Sequence, residues 1–458
     1  MEGTITSAEI RIARSTLELA LKTGAQKARV TLDKSRMDMV NTLNGEVDKV
    51  THCLDLCLTL NVFVDGRYGS FSTNRVVEGG MEPFVQKALQ TAGTMAPDPC
   101  RDLPERSRTA RDATRGRELE TCDEAAYTAM TPERRMAIAL QASIFEEQNG
   151  RPNPGGRKSP KYRYISEEAE YSDTVEDSLI IDSEGLECRH TETSFDYAVE
   201  VTVEDTRGTK FSAFWWDASP TLDGLRWEDC CHIALARAVA QIHPKDIPGG
   251  KYNMVIDSEV ASKVVSPLLR ALSAYAIQQN NSFLADTQGK KVFPEGMTIL
   301  DRPRSKGEPG AKMFDSEGVA TVNSPVIDHG VVCGYFVNTY MSRKMGIPPT
   351  KEEALRPAVA PWPRAGLSRD DLMEMCGEGI LVTDFNGGNS NSSTGDFSFG
   401  VEGFLFRDGK IVCPVREMLV TGNFLTLWDG FIAAADDARV CMSKLIPTLA
   451  FSNVDFSA

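Results

Sequence analysis

Residues able to hold a metal, attack a carbonyl or move a proton near neutral pH are few and scattered in this chain of 458 residues. Its five histidines are His52, His190, His232, His243 and His329, and no two fall at i, i+3, i+4 or i+5, so no helix presents an imidazole pair on one face. The nearest groupings are His52 with Cys53 and Cys57, and His232 beside Cys230 and Cys231. A metal site needs three or four convergent ligands and these groupings have no further local partner, so both read as structural; a site assembled from distant residues stays open at this level. Asp328-His329 supplies two members of a catalytic triad, but apolar alternation on both sides makes it a turn between two strands. No G-x-S-x-G elbow ties a serine to a base, and GGKYNMV lacks the GK[ST] ending of a phosphate-binding loop. No catalytic residue is assigned.

The densest local chemistry lies in Asn386–Phe424, NGGNSNSSTGDFSFGVEGFLFRDGKIVCPVREMLVTGNF. Asn386 to Gly395 is a run of Gly, Asn, Ser and Thr, rich in free donors and acceptors and tolerant of positive φ, as expected of a loop facing a ligand. Asn389, Asn391, Thr394 and Asp396 are its candidate binding residues; turn and cap hydrogen bonds are the competing account of the same side chains. Phe397 to Phe406 then alternates as a strand, Asp408-Gly409 is the pair a two-residue type I′ turn requires, and Ile411 to Val415 begins the return. A β-hairpin is predicted here.

The rest of the chain must position that hairpin. A helix is expected from Ser7 to Thr23, capped at Ser7 and stopped by Gly24. Strands follow at 28–32, 38–43, 54–64 and 68–73, with Asn44-Gly45 and Asp65-Gly66 as turns, then a helix over 76–91. Residues 95–123 are Pro-, Arg- and Asp-rich and read as a linker, and 151–160 as a second Pro/Gly loop. A helix at 131–148 separates them, with Thr131 as cap and Pro132 in its first turn. Alternating stretches at 161–171, 173–182, 186–193, 196–205 and 209–218 form an antiparallel meander; within it, the aromatic cluster Phe211 to Trp216 reads as core. A helix over 222–242, a strand at 252–256 and a long amphipathic helix after Asp257 complete the approach to the hairpin. Pro267 bends that last helix, and Arg270 beside the bend is either a solvated surface residue or a guanidinium holding a peptide carbonyl or carboxylate. The fold class is therefore α+β: an N-terminal α/β domain at 1–115, a strand-rich middle domain at 120–228, and a C-terminal domain at 232–458 dominated by antiparallel β-sheet.

Composition narrows the function. A formal charge of −15 argues against a surface that coats nucleic acid, which needs lysine and arginine on phosphates. Eleven cysteines, odd in number and without a C-x-x-C pair, fit a reduced cytoplasmic protein. No stretch approaches eighteen uninterrupted apolar residues, and the N-terminus lacks a signal-peptide pattern, so no membrane association is expected.

TGDFSFGVEGFLF followed by PVREMLVTGN resembles the C-terminal signature of the TldD/PmbA family, specifically its PmbA (TldE) branch. VFVDGRYGSFSTN and the Ser183-Glu184-Gly185 turn are similar to the family's first and second domains. The resemblance implies a metallopeptidase-related protein acting on unfolded peptides, of a family once described as modulators of DNA gyrase. In the TldD branch, the helix after the 252–256 strand carries H-E-x-x-x-H, two zinc-binding histidines and a water-activating glutamate. Here Val265, Ser266 and Arg270 stand roughly at those positions. The resemblance thus implies a chain without cofactor of its own, partnered by a zinc-bearing TldD-like subunit in a heterodimer, or forming a homodimer. The alternative is a non-catalytic homodimeric regulator of the gyrase-modulator kind.

Overall fold

The computed structural model describes residues 3–110, 117–150 and 162–458. The loop expected at 151–160 and part of the expected 95–123 linker lie outside them. The fold is mixed α+β with antiparallel sheets, and its contacts divide into two compact units.

The first unit comprises Met1–Ala238, Arg304–Thr321 and Thr339–Ile347. It opens with α1 (Ser7–Lys22), capped one residue earlier than expected, by Thr6, whose hydroxyl accepts from the Glu9 amide while the Glu9 carboxylate accepts from the Thr6 amide. β1 (Lys27–Leu43), β2 (Glu46–Val64) and β3 (Arg67–Thr73) follow, then α2 (Met81–Ala92). Asn44 and Gly45 have φ 54° and 79°, and Asp65 and Gly66 48° and 71°, so both expected hairpin turns form. The single helix expected over 131–148 is broken into α4 (Pro132–Gln141) and α5 (Phe145–Gly150), preceded by α3 (Glu124–Thr128). Next come β4 (Tyr162–Asp182), β5 (Glu187–Asp205), β6 (Lys210–Ser219) and α6 (Cys230–Ala240).

Strands of the expected N-terminal and middle segments share one sheet, ordered β3-β2-β1-β4-β5-β6, in which β1 pairs along its length with β4. Several expected strands merge. Ser172 and Ser194-Phe195, the breaks expected between strands, lie inside continuous β4 and β5, where Ser172 pairs with Asp196, Asp173 with Phe195 and Thr174 with Ser194. Where α1 and α2 cover the sheet, Leu32, Leu58, Leu60 and Val62 are fully buried with Val85 and Ala92. α4 is held by a buried ion pair, Arg135 donating to both carboxylate oxygens of Asp173 at 2.6 and 2.7 Å.

The second unit comprises Val239–Pro303, Val322–Asn338 and Pro348–Ala458. Its elements are β7 (Gly250–Ile256), α7 (Ser262–Ala271), α8 (Ala274–Gln278), β8 (Ile299–Asp301), β9 (Ser324–Asp328) and β10 (Val331–Val332). α9 (Thr339–Met345) falls within the first unit, after which β11 (Pro357–Val359), α10 (Arg369–Cys376), β12 (Glu378–Ser390), β13 (Asp396–Arg407) and β14 (Lys410–Asn423) continue the second. α11 (Phe424–Asp429), β15 (Phe431–Ala434) and β16 (Leu449–Ser457) end the chain. The main sheet runs β14-β13-β12-β7-β16-β15, and a further β14–β16 pairing closes five of its strands into a ring. Only β7 and β12 pair in parallel within it; the crossover between them carries α7, whose Val264, Val265, Leu268 and Leu272 fill the core with Trp428, Phe424 and Phe451. The long helix expected after Asp257 is in fact two short ones, α7 and α8.

Candidate functional site

The β12–β13–β14 meander builds the signature stretch from backbone requirements. The expected 408–409 turn forms with both residues left-handed, at φ 51° and 70°. Gly400 and Gly403 lie where β12 comes closest: a Cβ on Gly403 would sit 1.8 Å from the Leu381 carbonyl oxygen, and one on Gly400 2.2 Å from that of Asn386. These glycines of GDFSFGVEGF therefore answer to strand packing. The loop expected at 386–395 is shorter than it reads, since β12 continues to Ser390 through a bulge at Gly387 and Gly388.

The candidate residues converge on the connection between β12 and β13, where each spends its polar atoms locally. The Asn391 side-chain oxygen accepts from the Ser393 amide at 2.9 Å and the Thr394 amide at 3.4 Å, and Asn389 accepts from the Ser390 amide at 2.8 Å. Thr394 donates its hydroxyl to Asp396 at 2.6 Å, and Asn423 donates to the other Asp396 oxygen at 2.9 Å. Those two bonds, Asn423 first, hold the Asp396 carboxyl below its usual range. Asn281, just past α8, accepts hydrogen bonds from the Ser392 and Ser393 hydroxyls at 2.6 and 2.8 Å. Sequence reasoning missed Asn281 and Asn423 as members of this cluster, because both come from elsewhere in the chain. Phe283, Phe397 and Phe424 form an aromatic base beneath it, with ring centroids 4.8–5.9 Å apart. Such a connection is a hydrogen-bonded polar turn: it can present backbone and exposed amides to a peptide, and its one hydroxyl–carboxylate pair described above, Thr394 with Asp396, joins the hydroxyl to a carboxylate held below its usual range and so too weak a base to activate it.

Beside it, Asn386 donates to Glu402 at 2.9 Å, Arg416 pairs with Glu402 at 3.2 Å, and Lys263 of α7 places its ammonium 4.5 Å from the Phe399 ring centroid. Arg270 is exposed, and its guanidinium makes no hydrogen bond among the described residues. His329 is an exposed turn residue, φ 45°, between β9 and β10, as the apolar alternation predicts. His52 binds the Asp38 carboxylate at 2.8 Å, and Cys230 and Cys231 are buried in α6.

Zinc does not fit the α7 positions. Val265 is fully buried in the apolar core and has no lone pair to give, Ser266 is half-buried, and Arg270 carries a permanent cation. Among the described residues no group of three or more His, Cys, Asp or Glu side chains is placed to hold a metal ion.

Residues 127–242 match the PmbA/TldA metallopeptidase central domain, and residues 249–458 the PmbA/TldA metallopeptidase C-terminal domain. The Metalloprotease PmbA of Escherichia coli O157:H7 is 25% identical over 456 residues, covering 96% of this chain and 96% of that protein. A solved structure from Bacteroides thetaiotaomicron VPI-5482, described as a modulator of DNA gyrase, is 33% identical with a TM-score of 0.90, covering 99% of this chain and 100% of that one. TldE from Thermococcus kodakarensis superposes with a TM-score of 0.80 over 98% of this chain and 100% of that one; at 17% identity that likeness speaks to fold alone.

Proposed function

The chain belongs to the PmbA/TldD family, and we propose that within it the protein is the metal-free, TldE-like subunit of a two-protein metallopeptidase that cleaves unfolded peptides in the cytoplasm. The observation that carries this reading is α7. Where the TldD branch needs an imidazole, a glutamate and a second imidazole, this helix offers a buried valine, a serine and an exposed arginine. The zinc and its activated water then belong to a TldD-like partner, and this chain contributes binding surface. The meander connection at Asn389–Asp396 supports that role, being hydrogen-bonded and exposed. Free cysteines throughout fit a reducing compartment, and no helix among the described residues is long and apolar enough to cross a membrane.

The test is cleavage of an unstructured peptide by this chain alone, by a TldD-like partner alone and by the mixture, with zinc and with a chelator. Chelator-sensitive activity only in the mixture is expected. Chelator-sensitive cleavage by the isolated chain overturns the metal-free reading, and silence in every arm favours an interaction protein of the gyrase-modulator kind.

A further inference from the structure

An acidic cavity of about 320 Å³ opens on the sheet of the first unit. Glu176 of β4 and Glu192 of β5 are direct register partners on one face, followed along the same strands by the pair Thr174 and Ser194, and then by Asp196. Like charges directly opposed across a strand pair destabilise a sheet unless a cation compensates. Glu192 has compensation: His190 lies 3.2 Å away and Lys312 3.7 Å away. Burial alone would raise its carboxyl, but these two neighbours hold it below the usual carboxylate range.

The remaining carboxylates have less such help. The Glu176 carboxylate makes no hydrogen bond or ion pair among the described residues; burial followed by repulsion from Glu192 pushes it up, and Lys312 and His190 oppose that rise without cancelling it. Asp196 accepts only the Ser194 hydroxyl, at 2.7 Å. Burial raises it, that hydrogen bond opposes the rise, and Glu170, Asp217 and Asp173 add further repulsion. Independently, Thr121 lines the same cavity, is 1% exposed, and its hydroxyl has no hydrogen-bond partner among the described residues. A buried polar atom left unmatched costs free energy that a ligand's N–H would recover.

We propose that this cavity is a subsite for an ammonium or guanidinium group carried on a flexible chain, supplied by a lysine or arginine side chain of an extended peptide or by a free polyamine. Both groups are donors only, matching a wall of carboxylate and hydroxyl acceptors. A bare metal ion would need three or more converging ligands, which no group of described side chains provides. The peptide source extends the reading given above for the whole protein. Binding to the isolated chain is a separate readout, so this assignment and the two-protein cleavage experiment fail independently.

The experiment titrates the isolated full chain with two labelled unstructured peptides that differ only in lysine against glutamine, and separately with spermidine and with magnesium chloride. The variants are Glu176→Gln, Asp196→Asn and, as a control for the chain's overall negative charge, Glu82→Gln, an exposed carboxylate on α2. Preference for the lysine peptide, reduced about tenfold by Glu176→Gln or Asp196→Asn and untouched by Glu82→Gln, is the expected result. Spermidine binding with the same variant pattern, without peptide preference, supports the cation subsite and assigns it to polyamines. Equal binding of both peptides without spermidine binding, equal sensitivity to all three variants, or saturation by magnesium alone overturns the proposal. Circular dichroism of each variant distinguishes lost binding from lost folding.

Discussion

Replacing Val265 by histidine tests whether α7 could ever have served as a metal helix in this chain. Val265 is 0% exposed and belongs to the apolar core cluster that includes Leu268, Leu269 and Trp428. Val265→His forfeits the valine's burial, about 1.5 kcal/mol. It also strips water from an imidazole with no polar neighbour in that cluster, about 1–3 kcal/mol more. The expected loss is thus about 2.5–4.5 kcal/mol, a large fraction of a typical stability of about 5–15 kcal/mol. The pH dependence separates this cause from simple overcrowding. An imidazole buried as the neutral form has a folded pKa below its unfolded value of about 6.5, so the unfolded state binds more protons as pH falls. The penalty should therefore be constant above about pH 7 and grow steadily below about pH 6.5, relative to the parent chain at the same pH. Urea unfolding of parent and Val265→His, with and without zinc, between pH 5.5 and 8 measures it. A loss under about 1 kcal/mol, no growth of the penalty at low pH, or zinc rescue of the single variant would refute the account of α7 as a core helix.

Three further perturbations probe the frame. Arg135→Met leaves Asp173, fully buried, without its bidentate partner and should cost about 3–5 kcal/mol by urea unfolding, whereas Arg135→Met combined with Asp173→Leu should cost markedly less than the two single changes together. Gly403→Ala forces a methyl into the Leu381 carbonyl and should abolish soluble folded protein; Gly395→Ala, whose added carbon lies 3.1 Å from the Phe283 ring at φ 81°, should cost about 1–2 kcal/mol and still fold, as thermal melting will report. The Asp396 carboxyl should titrate below the ordinary aspartate value by NMR. Being depressed, it favours the folded state above the unfolded pKa, and that contribution disappears as pH falls through the folded one. Asn423→Ala should move the titration back up.

Legibility in the sequence followed the range of the interactions. Hairpin turns at 44–45, 65–66 and 408–409, the Thr131 cap and the turn read at Asp328-His329 were readable because their chemistry is contained in two to four residues. Long strands were cut too short: in β4 and β5, Ser172 and Ser194 look like turn formers, and only their pairing partners show that the chain stays extended. The join of β1 to β4 spans more than a hundred residues and leaves no local trace. Closure of the ring through β14 and β16 is equally hidden, since three register pairs determine it.

The same distinction bears on where binding chemistry should be sought. Asn389, Asn391, Thr394 and Asp396 attracted notice because small polar residues are dense there, but density supplies mutual partners as readily as free ones. Asp396 accepts from both Thr394 and Asn423, and Asn391 caps its own turn, so a ligand at this connection would compete with bonds already made. Glu176, Asp196 and Thr121 show the reverse. They are far apart in sequence and unremarkable individually, yet the β4–β5 register sets Glu176 and Asp196 on one face, and Thr121, whose carbonyl accepts from the Thr193 amide, lines the same cavity with its hydroxyl unmatched among the described residues. Unfilled hydrogen-bonding capacity, rather than polar composition, is what a ligand can relieve, and it becomes visible only once strand register is known. A Thr121→Val variant carries this to a measurement: if the orphan hydroxyl is the ligand's, the substitution should leave folding stability unchanged or slightly improved while weakening lysine-peptide or spermidine binding. Loss of stability without loss of binding would instead make the hydroxyl part of the fold.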